Sequence, residues 1–180
     1  MEKGGFIEWN DDDPERTFSE GQKPENSRGY TLMIIEERQI TDQLIQDLID
    51  LSRDWAEEES CYGYRPNKKE DIIGNRIFVA VEEKRVCGYL LGNIHPSKGM
   101  KSIMEDGTPY FEVEEIYVIP DRRSQGLGAE LFRYVEERLK EDVNIIVLST
   151  ATKNWKAIFH FYLDELGMDF WSAHLFKRIV

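Results

Sequence analysis

The residues Val-Ile-Pro-Asp-Arg-Arg-Ser-Gln-Gly-Leu-Gly-Ala over 118–129 constrain this chain more than any other segment. A strand-like run ends at Pro120 and a turn follows. Leu127, Leu131, Val135 and Leu139 then recur on one helical stripe. Gly126 and Gly128 allow close backbone approach at the turn. The free N–H groups of a helix start, aided by the helix dipole, make such a unit a site for a phosphate or pyrophosphate. It is not a Walker loop, because no Gly-Lys-Ser/Thr follows. It is not the dinucleotide fingerprint either, whose third glycine is missing at the required offset.

The rest of the chain supplies strands and helices around that unit. Residues 32–35 form a short apolar run suited to a strand. Thr41 stands at a helix-cap position ahead of Leu44, Ile45, Leu48, Ile49 and Leu51. A short helix is expected over 68–73. Residues 77–81 and 86–91 read as a hairpin turning at Glu82, Glu83 and Lys84. A polar loop over 96–107 leads to a strand over 111–119, and residues 145–148 read as a buried strand. Asn154 opens a helix carrying Trp155, Ile158, Phe159, Tyr162 and Leu166, closed by Gly167. Residues 170–180 are expected to add one or two strands, with Trp155 and Trp171 in the core. The order predicts an α/β (α+β) domain over 30–180, a mixed sheet with helices on both faces. Residues 1–29, with Asp11, Asp12 and Asp13, hold too few apolar residues to offset ordering and read as a flexible acidic arm. Phe6 and Trp9 are its candidate anchors to a partner subunit.

The chain has 180 residues, room for one domain and an arm. Its 35 acidic and 23 basic residues give a net charge of −12, which counts against nucleic acid or an anionic membrane as partner. The same field would concentrate a cationic substrate. Cys61 and Cys87 form no disulfide framework and read as packed thiols in a reducing compartment. His95, His160 and His174 have no metal-ligand spacing with one another or with the cysteines, so no metal is expected. No apolar stretch approaches the ~18 residues of a membrane helix. No basic start with an apolar run marks a secretory signal, and a cytoplasmic location is expected.

The segment Arg123-Ser-Gln-Gly126-Leu-Gly128 resembles the R/Q-x-x-G-x-G/A motif of the GNAT (Gcn5-related) N-acetyltransferase superfamily. Val118-Ile-Pro120 resembles the V-x-P that precedes it there. Asn154 and Ala157 resemble the family's N-x-x-A element, and Leu166-Gly167-Met168 its L-G-F ending. The resemblance covers residues 31–180 and implies the GNAT fold, a mixed, mostly antiparallel sheet flanked by helices. It also implies acetyl-CoA, or a related acyl-CoA, as donor. Pyrophosphate would rest on the backbone amides of Gln125, Gly126, Leu127, Gly128 and Ala129, beside Ser124, with Arg123 shaping the turn. The pantetheine arm would pair with the strand edge at Ile116, Tyr117 and Val118, whose N–H groups would polarise the thioester carbonyl. Asn154 matches an asparagine that contacts the arm.

An alkylamine is mostly charged at neutral pH, so a base must take its proton. Glu114 matches the acidic position of polyamine-acetylating relatives and Glu112 that of histone-acetylating ones. Glu114 is the first choice, with Glu112 and Glu115 behind it. In a regular strand Glu112 and Glu114 share a face and Glu115 takes the other, unless a bulge intervenes. The leaving thiolate needs a proton, which the family often draws from a tyrosine seven residues after the asparagine. Here that position is Phe161. Tyr162 lies about 100° further round a regular helix. A π-bulge would bring Tyr162 toward the sulfur; otherwise Tyr162 is core, and Tyr117 or water serves. Trp55, Glu57, Glu58, Glu59, Tyr62 and Tyr64 occupy the region where relatives build the acceptor pocket, and aromatics with carboxylates suit an ammonium group.

The resulting expectation is an acetyl-CoA-dependent N-acetyltransferase acting on a primary amine, small and cationic or carried by a protein. Phe170, Trp171, Leu175 and Phe176 suggest a homodimer. The alternatives are a catalytically silent CoA-binding sensory module, for which Phe161 speaks, and an interaction protein whose arm recruits a partner.

Overall fold

The computed structural model describes residues 32–179, and the arm expected over 1–29 lies outside them. Four strands, β1 (Met33–Arg38), β2 (Arg76–Glu82), β3 (Arg85–Pro96) and β4 (Pro109–Val118), pair antiparallel in chain order. A fifth, β5 (Ile146–Leu148), pairs parallel to β4. Side chains alternate across this sheet, so Val79, Val81, Tyr89 and Leu91 pack on one face and Phe78, Leu90, Phe111 and Val113 on the other. Helix α1 (Asp42–Glu57) buries Leu44, Ile45, Leu48 and Leu51 on the first face. Its start is fixed by Thr41, whose hydroxyl accepts the Leu44 N–H at 3.1 Å. A short helix, α2 (Lys69–Ile72), follows it. Helix α3 (Leu127–Leu139) covers the second face with Leu131, Phe132, Val135 and Leu139. The mixed sheet with helices on both faces is therefore the observed architecture.

Two irregularities position the site. Leu91 pairs with Glu115 and Gly92 with Val113, so Glu114 is the extra residue of a β-bulge. Gly92 is obligatory there, because a Cβ would fall 2.1 Å from the Glu112 carbonyl oxygen and against the Phe111 ring. Further along, β4 and β5 stay together only from the Phe111–Ile146 pair to the Val113–Leu148 pair. Beyond Val113 the outer edge of β4 has no strand partner among the described residues.

The C-terminal expectations need correction. Residues 170–179 form no strand, and Leu175 is 95% exposed. Trp155 and Trp171 are surface residues, 56% and 47% exposed, rather than core. Trp155 opens the short helix α4 (Trp155–Phe159) and stacks edge-on with Phe159. Trp171 donates its indole N–H to Ser102 Oγ at 2.9 Å. The physical reason is that β5 is a three-residue, half-buried edge, which gives an apolar tail no long strand to join. The helix begun at Asn154 continues as a π-helix, His160–Glu165, with an i→i+5 bond from the Leu166 N–H to the Phe161 carbonyl at 3.1 Å. Gly167, at φ +68°, closes it.

Candidate active site

Between β4 and α3 the chain passes through a 3₁₀ turn, Pro120–Arg122, and then a left-handed corner. Ser124 has φ +57° and Gly126 +83°. For serine this is a strained conformation, which clusters at ligand-binding turns. Helix α3 starts at Gly126 without a side-chain cap, so its first-turn N–H groups are left for a ligand. Leu127 and Ala129 anchor the helix start in the core. Gln125 bonds back to the Asp121 carbonyl at 2.8 Å. A Cβ on Gly128 would lie 3.3 Å from the Phe161 ring, so that ring packs directly on the helix start. An anionic pyrophosphate fits these features: helix-start donors without a side-chain cap and a positive dipole end.

Arg123 takes the shaping position. Its Nε donates to the Val118 carbonyl at 2.8 Å, tying the turn to the strand end. Its two terminal nitrogens grip Glu58 at 2.9 and 2.7 Å, and its guanidinium lies 5.3 Å above the Tyr117 ring. The Tyr117 hydroxyl also donates to Glu58, at 2.9 Å. Burial, then the Glu58 carboxylate, holds that hydroxyl well above its ordinary range. Ile116 packs with the α3-side core, and Val118 reaches the start of α3, where its Cγ2 lies 3.9 Å from the position of a Cβ on Gly128; both are on the open stretch of β4.

The bulge decides the placement of the glutamates. Glu115 turns to the α1 face with Tyr89, where its carboxylate accepts from Tyr89 Oη at 2.8 Å and Asn67 Nδ2 at 2.7 Å. Burial pushes its carboxyl above the usual range, against the pull of hydrogen bonding from Tyr89, Asn67 and Tyr64. Glu114 shares a cavity with Glu115 instead of facing away from it. That cavity, about 430 Å³, is also lined by Tyr64, Arg65, Asn67 and Asp71. Arg65 is neutralised by a two-point pair with Asp71, at 2.8 and 3.0 Å, so the two glutamates leave the cavity negative. The Tyr64 hydroxyl is buried beside it, close to the Glu115 carboxylate and the Tyr89 hydroxyl. Tyr64 also stacks on Trp55, 4.2 Å between ring centres, and faces a second cavity of about 310 Å³ with Glu59, Cys61 and Lys153. Glu57 is exposed outside both cavities, and Tyr62 is also exposed, its ring touching Lys153 and Phe176. Glu112 lies further along β4 and accepts from the Tyr110 hydroxyl at 3.1 Å. His95, opposite Tyr110 on β3, brings its ring to within 4.8 Å of the Glu112 and Glu114 carboxylates. Histidine and cysteine spacing missed this group because its other members are glutamates on the neighbouring strand.

Tyr162 lies in the π-helix, 9% exposed, near Cys61. Burial first, and Cys61 second, push its hydroxyl up to about 12. Asn154 caps α4 from the exposed side, its backbone N–H on Thr152 Oγ1 at 3.0 Å and its side chain free of the helix end. Asn67 and Tyr89 were missed in the sequence. Tyr89 reads as one more apolar strand residue, and only the register across the bulge sets it against Glu115.

Solved structures share this fold of a mixed, mostly antiparallel sheet with helices on both faces. A mutant of the BH1408 protein from Bacillus halodurans superposes with TM-score 0.64 at 19% identity, over 82% of this chain and 99% of that one. The aminoglycoside N-acetyltransferase AAC(6')-Iy, in complex with CoA, gives 0.57 at 17%, over 82% and 99%. An aminoglycoside acetyltransferase from an uncultured soil metagenomic sample, in complex with sisomicin, gives 0.60 at 15%, over 82% and 97%. At such identities these likenesses establish the fold. The chain belongs to the acetyltransferase (GNAT) family, whose model matches residues 41–168. No curated protein matches it.

Proposed function

We propose that this protein transfers an acetyl group from acetyl-CoA to a primary amine of a cationic acceptor by direct attack. The observation that carries this reading is the net-negative cavity holding Glu114 and Glu115, beside the open edge of β4. Acetyl-CoA would supply the acyl group as an activated thioester. The amides at 125–129 would take its pyrophosphate, and the unpaired edge at Ile116, Tyr117 and Val118 its arm, with Asn154 beside it. An N–H of that edge would polarise the carbonyl. Glu114, exposed at the cavity rim, takes the amine proton; Glu115 and the Tyr64 hydroxyl orient the ammonium group beforehand. Glu112 stands further off as the alternative base. Tyr162 holds its proton at neutral pH and serves the departing sulfur as a hydrogen-bond donor. Polycationic aminoglycosides are the acceptors of two of the similar structures, which supports the cationic class without naming a compound.

Two measurements test this. Acetyl-CoA should raise the melting temperature, and Gly126→Glu should abolish the shift; no shift at millimolar acetyl-CoA removes the donor assignment. An amine panel scored by free CoA should find an acceptor whose turnover falls with Glu114→Gln. The rival, a silent CoA-binding module, draws on Phe161, which fills the family's tyrosine position and packs on Gly128. It predicts the thermal shift but no thiol release with any amine. The exposed tail residues Phe170, Leu175 and Phe176 further support a homodimer, which sedimentation would show as a mass of two chains. No helix of the described residues is long and apolar enough to cross a membrane.

A further inference from the structure

We infer that His95, Glu112 and Glu114 form a binding site for a divalent transition cation, with Zn2+ the best match. One ligand atom from each residue lies within 4.8 Å of the others. Around a zinc ion such atoms stand about 3.4 Å apart, given metal–ligand bonds near 2.0–2.1 Å. The half-exposed Glu112 and the exposed Glu114 close that gap by changing rotamer.

Strand register builds this cluster. His95 and Glu112 occupy the same face on adjacent strands, because Asn93 pairs with Glu112 and His95 with Tyr110. Glu114, two residues after Glu112, has its carboxylate beside the other two ligand atoms, and the bulge is what moves Glu115 rather than Glu114 across the sheet. Tyr110 donates to one oxygen of Glu112 at 3.1 Å, the kind of outer contact that fixes a ligating carboxylate. Among the described residues neither glutamate has a lysine or arginine in an ion pair. Two close carboxylates without a basic neighbour repel each other until a proton or cation lies between them.

The donor set selects the ion. One imidazole and two carboxylates suit Zn2+ and its neighbours in the first transition row, whereas Mg2+ and Ca2+ prefer oxygen alone. Three protein ligands leave a fourth position open to water or to an amine nitrogen. An ion there would take Glu114 out of proton transfer, a consequence that rests on the function proposed above. Binding itself does not depend on that activity.

The test is a Zn2+ titration of the untagged full-length chain in competition with a chromophoric chelator. One ion per chain is expected, with affinity lowered at least about tenfold by His95→Gln and by Glu112→Gln. His160→Gln should leave it unchanged, although His160 also touches two carboxylates, Asp164 and Glu165. Co2+ bound to the wild type should show ligand-field absorption without thiolate charge transfer, a readout that stands even if a variant fails to fold. Absence of saturable binding, indifference to both substitutions, or a thiolate band from Cys61 would each overturn the assignment.

Discussion

Arg123 and Glu58 face each other through two N–H···O bonds of 2.9 and 2.7 Å, joining the phosphate-type turn to the end of α1. The same guanidinium ties back to Val118. One side chain thus couples the turn before α3 to the end of α1, which borders the smaller cavity. The pair is partly exposed, with side-chain exposures of 41% and 22%, so its free energy is screened. A double-mutant cycle of Arg123→Ala and Glu58→Ala in urea should give a coupling of about 1 kcal/mol, since the pair is bidentate. Arg123→Ala should also weaken acetyl-CoA binding more than Glu58→Ala does, because only Arg123 holds the turn.

Gly92→Ala should be among the most damaging single-methyl changes in the sheet. Its Cβ meets backbone 2.1 Å away, which cannot rotate aside. A loss of about 3 kcal/mol is expected from overpacking, read as a lower urea midpoint. Gly128→Ala is the contrast. Its Cβ meets only the far end of the Phe161 ring at 3.3 Å, and alanine gains helix propensity. A net change within about 1 kcal/mol is expected, of either sign.

Tyr162→Phe should lower kcat by about tenfold to a hundredfold, as expected for a lost acid catalyst, while leaving KM for the amine near that of the wild type. The hydroxyl is raised to about 12. A group with a raised folded pKa contributes stability that is fully present below its unfolded pKa, near 10, and lost as pH rises toward 12. Wild-type stability relative to Tyr162→Phe should therefore be flat from pH 6 to about 9 and fall above it, as urea unfolding against pH would show.

Glu115 titrates with the same sense in the acid range. Burial raises its carboxyl, so folding disfavours the ionised form relative to the unfolded chain. Its contribution is fully present below the unfolded value, near 4.3, and declines as pH rises through the folded one. The stability of the wild type relative to Glu115→Gln should increase on going from pH 7 to pH 4. A difference that moves the other way would mean that the Tyr89 and Asn67 bonds outweigh burial.

The sequence by itself determined the elements whose cause is local. Thr41 caps α1 because its hydroxyl reaches the third N–H after it. Leu131, Val135 and Leu139 face the sheet because helical spacing leaves them no other side. Gly126 takes a left-handed φ that glycine adopts without a Cβ penalty. The π-helix over His160–Glu165 takes the place of the π-bulge considered for Tyr162 from the sequence. Tertiary structure decided what depends on register and on packing partners. A β-bulge shifts every later side chain by one face, and nothing local to Glu114 announces it; Gly92, 22 positions earlier in the numbering, accommodates it. That single shift brings Glu115 to Tyr89 and Asn67, and places Glu114 between the cavity and His95. Trp155 and Trp171 lie outside the core for the complementary reason: apolarity favours burial, but only a neighbouring surface can provide it.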